Sequence, residues 1–295
     1  MIVPALSTPW SAPLSMGEHR LILFCLAFAG LALFAGFIRT WLTRDEVGPR
    51  YRTSTVARMG IMGVSALTYF GLIVAFFAGY AYDGGQWIPN EFAVDTFSGR
   101  YVGWAVTVPL LCVELIAVCT VSGVNVIRTR FVAVGSTLGM IFAGFLGAVV
   151  VNDGGDASSY VILGLVSCAF WMVANVVLVR AVRKTLVGLT PAATQLLIRG
   201  TVVLLVGWVI YPFTYVIPLF VSGGEWTTTI HVILCAADVL VKLTFAGLIH
   251  RVAKHRTAED VRNGIDVHPE SIWMSSERLS EARPPQLPGG DWRQR

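Results

Sequence analysis

Apolar residues run through this chain in long blocks with no helical or strand-like alternation, and charged residues fall almost entirely between the blocks. No Asp, Glu, Lys or Arg occurs from residue 21 to 38, 59 to 82, 131 to 151, 157 to 179 or 200 to 224. Two further blocks are long enough but interrupted: Tyr101 to Ile127 contains Glu114, and Trp226 to Ile249 contains Asp238 and Lys242. A helix needs about 20 apolar residues to cross the hydrocarbon core of a bilayer. The pattern therefore predicts an all-α membrane protein, a bundle of seven transmembrane helices, with the third connection at Arg128 and Arg130.

Composition agrees. Of 295 residues 55% are hydrophobic and 14% charged, against roughly 25% charged in soluble domains. A net charge of +4 is too small to imply a nucleic-acid partner, but its distribution is informative. Arg39, Arg44, Arg50, Arg52 and Arg58 fall in the first connection, Arg128 and Arg130 in the third, and Arg180, Arg183, Lys184 and Arg199 in the fifth. Arg251, Lys254 and Arg256 follow the last block, while the even-numbered connections are acidic or neutral. The positive-inside rule then puts the N-terminus outside and the C-terminus in the cytoplasm. Three regions are expected: a short extracellular N-terminus (1–18), a seven-helix domain (19–254) and a flexible cytoplasmic tail (255–295). The first block lacks a basic n-region and a small-residue cleavage site, so it reads as a span and not a signal peptide.

Ionisable side chains inside a span are costly and usually functional. Asp238 and Lys242 are four residues apart and share one helix face. They could form a buried ion pair that only fixes packing. Alternatively, Lys242 is an apolar-site amine that condenses with a carbonyl to a Schiff base, with Asp238 as its counterion. On the sixth block Trp208, Tyr211 and Tyr215 form an aromatic stripe around Pro212. On the third, Arg100, Gly103, Thr107 and Glu114 lie within about 60° of one another around the helix. Cys25, Cys112, Cys119, Cys168 and Cys235 all sit in apolar blocks without CxxC spacing, and the five histidines are scattered. No metal site is expected. Nor is an enzyme: no phosphate-cradling loop or nucleophile–base pair is present in the sequence.

The run from Arg100 to Glu114 resembles the third helix of microbial (type 1) rhodopsins, Trp208 to Pro212 their sixth, and Asp238 to Lys242 their retinal-binding seventh. The run from Thr107 to Leu111 followed by Cys112-Val113-Glu114 is nearest the proteorhodopsin and xanthorhodopsin branch. The resemblance implies covalent all-trans retinal on Lys242, with Trp104, Val108, Leu111, Met140, Gly144, Ser167, Trp171, Trp208, Tyr211, Pro212 and Tyr215 around it. It places Tyr69 and Tyr101 in hydrogen bonds near the Schiff base, Arg100 just outside, and Glu114 as a cytoplasmic proton donor. Leu111 resembles the green-absorbing members. The chain departs from the pattern at Gly103, where outward proton pumps carry the aspartate that accepts the Schiff-base proton, and at Thr68, where proteorhodopsins carry a histidine that pairs with it. Loss of the acceptor resembles the flotillin-associated rhodopsin group. Gly164 stands where xanthorhodopsin-like members open a fenestration for a carotenoid antenna, although it could equally ease helix contact.

The expectation is a light-absorbing protein of the bacterial inner membrane, with Asp238 as sole counterion, a slow photocycle, weak or no pumping and a photosensory or regulatory role. One alternative is an outward proton pump with Asp238 as acceptor and Glu114 as donor. Another is a seven-helix transporter or structural protein without a chromophore. Lipid surrounds it, family members form pentamers or hexamers, and the sequence names no signalling partner.

Overall fold

In a computed structural model, residues 7–119 and 124–265 are described. Among them are seven helices long and apolar enough to span a membrane. They are α1 (Met16–Leu42), α2 (Arg52–Gly79), α3 (Asp95–Ala117), α4 (Val124–Phe145), α5 (Ala157–Leu186), α6 (Pro191–Val216) and α7 (Gly224–Arg262). Consecutive helices pack side by side, and α7 closes the ring against α1 and α2. Leu21, Phe24, Phe28 and Leu31 on α1 and Phe70, Val74 and Phe77 on α2 are exposed, as a lipid-facing surface requires. Polar side chains such as Ser65, Arg100, Thr107, Asp238 and Lys242 turn inward.

Local chemistry sets the helix ends. Ser15 accepts from the Glu18 N–H while Glu18 accepts from the Ser15 N–H, a reciprocal cap that starts α1. Asp156 caps α5 and Pro191 opens α6, where a missing N–H costs nothing. Pro109 and Pro212 lie inside α3 and α6 without ending them.

Three features differ from the expectation. First, α3 starts at Asp95 and ends at Ala117, and Arg128 and Arg130 lie inside α4 instead of in the connection before it. An arginine can sit within the end of a span because its long stem carries the guanidinium out to the interface, so charge alone misplaced this break. Residues 120–123 lie outside the described part. Second, α7 continues past 254 to Arg262, and Arg256, Thr257 and Asp260 are buried. The Gly48 N–H donates to Thr257 Oγ1 at 3.0 Å, Tyr51 Oη donates to Asp260 Oδ2 at 2.9 Å, and Arg256 lies over the Tyr51 ring. The start of the expected tail, through Arg262, is thus a docked continuation of α7; residues 266–295 lie outside the described part. Third, the second connection forms an antiparallel hairpin, β1 (Tyr80–Asp83) and β2 (Gln86–Pro89). Trp87 of β2 exchanges backbone hydrogen bonds with Leu14 and stacks on His19 with ring centroids 3.7 Å apart.

Candidate functional site

Four elements meet at Asp238, midway along α7. Its Oδ1 lies 3.1 Å from Lys242 Nζ, one helical turn toward the C-terminal end of α7, and both side chains are buried. The Tyr211 hydroxyl of α6 donates to Oδ1 at 2.7 Å and the Tyr69 hydroxyl of α2 donates to Oδ2 at 3.0 Å. The Trp104 indole of α3 approaches both oxygens, at 3.4 and 3.5 Å. One carboxylate therefore accepts from four side chains on four helices. Such a pair stabilises little on its own, yet removing either partner would leave an uncompensated buried charge.

Arg100 sits one turn of α3 away from Trp104, fully buried. Its Nη1 donates to Tyr69 Oη at 3.3 Å, and its Nη2 lies 3.1 Å from His231 Nδ1 and 3.6 Å from Cys235 Sγ. Gly103, Thr68, Ser65 and Lys242 border a void of about 10 Å³ beside Asp238, close to the space one water needs. A Cβ on Gly103 would come within 2.5 Å of Thr68 Oγ1, so the threonine fills the room that a side chain there would take. Thr107 is turned back on its own helix and donates to the Gly103 carbonyl at 2.9 Å.

On the other side of Trp104 lies an apolar cavity of about 260 Å³. Its walls include Val108, Met140, Gly144, Ser167, Trp171, Trp208, Tyr211, Pro212 and Tyr215. Proline at 212 leaves the Trp208 carbonyl without its helical donor on this wall. Ser167 is fixed by donating to the Met140 carbonyl at 2.8 Å. Leu111 is buried in the core outside the cavity lining. Tyr101, expected near Lys242, instead lies on the cavity wall edge-on to Trp104 and against Phe145. Tyr211 is the second phenol on Asp238, because its position on the α6 stripe faces α7 directly. Glu114 is buried farther along α3, with neither carboxyl oxygen hydrogen-bonded. Gly164 lines the cavity, and a Cβ there would meet the Tyr215 ring at 2.8 Å. Tyr215 in turn stacks on Tyr160 and donates to its carbonyl.

The family model of bacteriorhodopsin-like proteins matches residues 19–256, the whole seven-helix ring. The chain belongs to the microbial rhodopsin family. The blue-light absorbing proteorhodopsin of Gamma-proteobacterium Hot 75m4 is 28% identical over 236 residues, covering 78% of this chain and 84% of that one. The crystal structure of xanthorhodopsin, a light-driven ion pump with dual chromophore, is 25% identical with a TM-score of 0.73, covering 84% of this chain and 98% of that one. A thermophilic rhodopsin at 24% identity and a TM-score of 0.76 shares the fold, again across 84% of this chain and 98% of its own. This rhodopsin is a multi-pass cell-membrane protein. Its relatives are microbial rhodopsins, typically light-driven transporters or sensors rather than enzymes.

Sequence reasoning missed His231. It lies seven residues before Asp238 on the same face of α7, with Cys235 between them, and that spacing was the available signal. Among five scattered histidines it carried no motif.

Proposed function

We propose that this rhodopsin binds retinal at Lys242 with Asp238 as its lone anionic partner, and that it moves protons outward weakly or not at all, in a sensory or regulatory role. Two features support a fit for the chromophore. Lys242 is a buried amine facing a single carboxylate. The cavity beyond Trp104 is apolar and walled by aromatic rings, as a polyene needs. Retinal, condensed with the Lys242 amine, supplies the light-absorbing polyene and its change of shape.

The observation that carries the non-pumping reading is the pairing of Gly103 with Thr68 beside the Asp238–Lys242 pair. Position 103 offers no proton acceptor, and Thr68 packs into its place. Asp238 is a poor substitute, because its oxygens already receive Tyr211, Tyr69, Trp104 and Lys242. Tyr211 and Tyr69 hold the carboxylate in place, and Trp104 separates it from the apolar cavity. The carotenoid antenna is not part of this proposal, since the Tyr215 ring already explains a glycine at 164.

Glu114 favours a second reading. A buried carboxyl without hydrogen bonds suits a cytoplasmic proton donor, and a sensor has little use for one. Vesicles under illumination separate the two. The proposal expects no sustained, protonophore-sensitive pH change with the wild-type chain, and outward transport on introducing Thr68→Ala with Gly103→Asp. Sustained outward transport by the wild type would establish the pump, with Asp238 as acceptor and Glu114 as donor.

A further inference from the structure

Arg100 brings a second positive charge to a site that holds one carboxylate. Counting Lys242, Arg100 and Asp238, the buried cluster carries one cation more than it has anions, and among the described residues Arg100 has no carboxylate within hydrogen-bond reach. Its guanidinium is held instead by neutral acceptors: the Tyr69 hydroxyl, His231 Nδ1 and, more distantly, Cys235 Sγ. Of the two contacts to Nη2, the imidazole is the strong one, because a thiol is a weak acceptor.

Everything about His231 suits it to that task. It is fully buried, and the Phe97 and Phe76 rings pack on it with centroids 4.7 and 6.2 Å away. The Arg100 Nη2 that meets its Nδ1 also reaches Cys235 Sγ, one turn along α7. A guanidinium can only donate, so the nitrogen it meets must be a bare lone pair. The ring is therefore neutral, with its proton on Nε2, and Nε2 is buried without a partner among the described residues. His231, Cys235, Asp238 and Lys242 follow one another at spacings of four, three and four residues on one face of α7. A single rigid helix thus fixes both the anchor of Arg100 and the carboxylate it would otherwise approach.

We infer that His231 is a positioning residue: it holds the Arg100 guanidinium off Asp238 and so sets how much negative field Asp238 presents to Lys242. This rests on the reading of Lys242 and Asp238 given above. Without the imidazole acceptor, Arg100 retains Tyr69 and a thiol, and its charge is drawn toward the nearest carboxylate, Asp238. The closer the guanidinium comes, the less of that negative charge Lys242 feels.

Two measurements test this. In the purified chain without chromophore, nitrogen-15 NMR of ring-labelled histidine, assigned by loss of the signal in His231→Asn, should show a neutral ring with a bare Nδ1 and a protonated Nε2. A protonated Nδ1 or an imidazolium would overturn the inference whether or not retinal binds. With retinal added, His231→Phe keeps the ring packing but removes the acceptor. Its visible band should move to the red, and the pH at which the colour is lost in alkali should fall by about one unit, a tenfold change in proton affinity. His231→Asn, which returns an acceptor near the Nδ1 position, should restore both values toward wild type. A Phe variant indistinguishable from wild type, or an Asn variant that behaves like Phe, would overturn the role of His231 while leaving Lys242 as the attachment point. Absence of a band in the wild type would instead refute the retinal reading, and the NMR result would still decide the hold on Arg100.

Discussion

At the scale of single residues, the position that matters most is one with no side chain. Gly103 and Thr68 are complementary: the threonine Oγ1 and Cγ2 occupy space within 2.5 and 2.7 Å of where a Cβ at 103 would stand. Thr68 is also committed, since its hydroxyl donates to the Val64 carbonyl at 2.8 Å. Restoring a carboxylate is therefore a two-residue problem. Gly103→Asp alone should overpack the site and destabilise the chain by about 1–3 kcal/mol. Adding Thr68→Ala should recover most of that loss, read as the apparent melting temperature in detergent. If the single and double variants melted together, the two positions would not be coupled. Lys242, Asp238, Gly103 and Thr68, which the structure brings together, stood out in the sequence because each is a residue type out of place in an apolar block or a known motif. Tyr101 and Tyr211 were not separable in this way. Both are tyrosines on inward faces, and only the packing of α3 and α6 against α7 decides which phenol reaches the carboxylate.

At the scale of elements, apolar blocks revealed the helices but not all their ends. The break between α3 and α4 carries no charge, so counting charges moved it to Arg128 and Arg130. The extension of α7 was hidden because residues 255–262 look solvated in composition. Arg256, Thr257, Ala258, Asp260 and Val261 are instead buried, with Thr257 and Asp260 bonded to the first connection, which no local pattern encodes. That connection also reaches back to α7 through Glu46, whose carboxylate meets Lys254 Nζ at 2.8 Å and His250 Nε2 at 3.0 Å. Burial penalises the charge on Glu46, but the hydrogen bonds from Lys254 and His250 outweigh that penalty and hold its carboxyl below the ordinary value. A carboxyl lowered in the folded state contributes stability above its unfolded pKa and loses it as pH falls through the folded one. Thermal denaturation of wild type and Glu46→Gln should therefore differ at neutral pH and converge in acid. A gap that stayed constant with pH would remove Glu46 as the titrating group.

At the scale of the whole molecule, the seven helices, the family and the buried pair on α7 were all readable from hydropathy and a few motifs, because a bilayer leaves so few ways to bury a backbone. What the ring of helices adds is convergence: α2, α3, α6 and α7 deliver Tyr69, Trp104, Tyr211 and Lys242 to one carboxylate beside an apolar cavity. The account stands or falls on what that amine binds. All-trans retinal added to the purified apoprotein should produce a visible absorption band in the wild type and none in Lys242→Ala. A wild-type sample that stays colourless, or an alanine variant that colours equally, would contradict it.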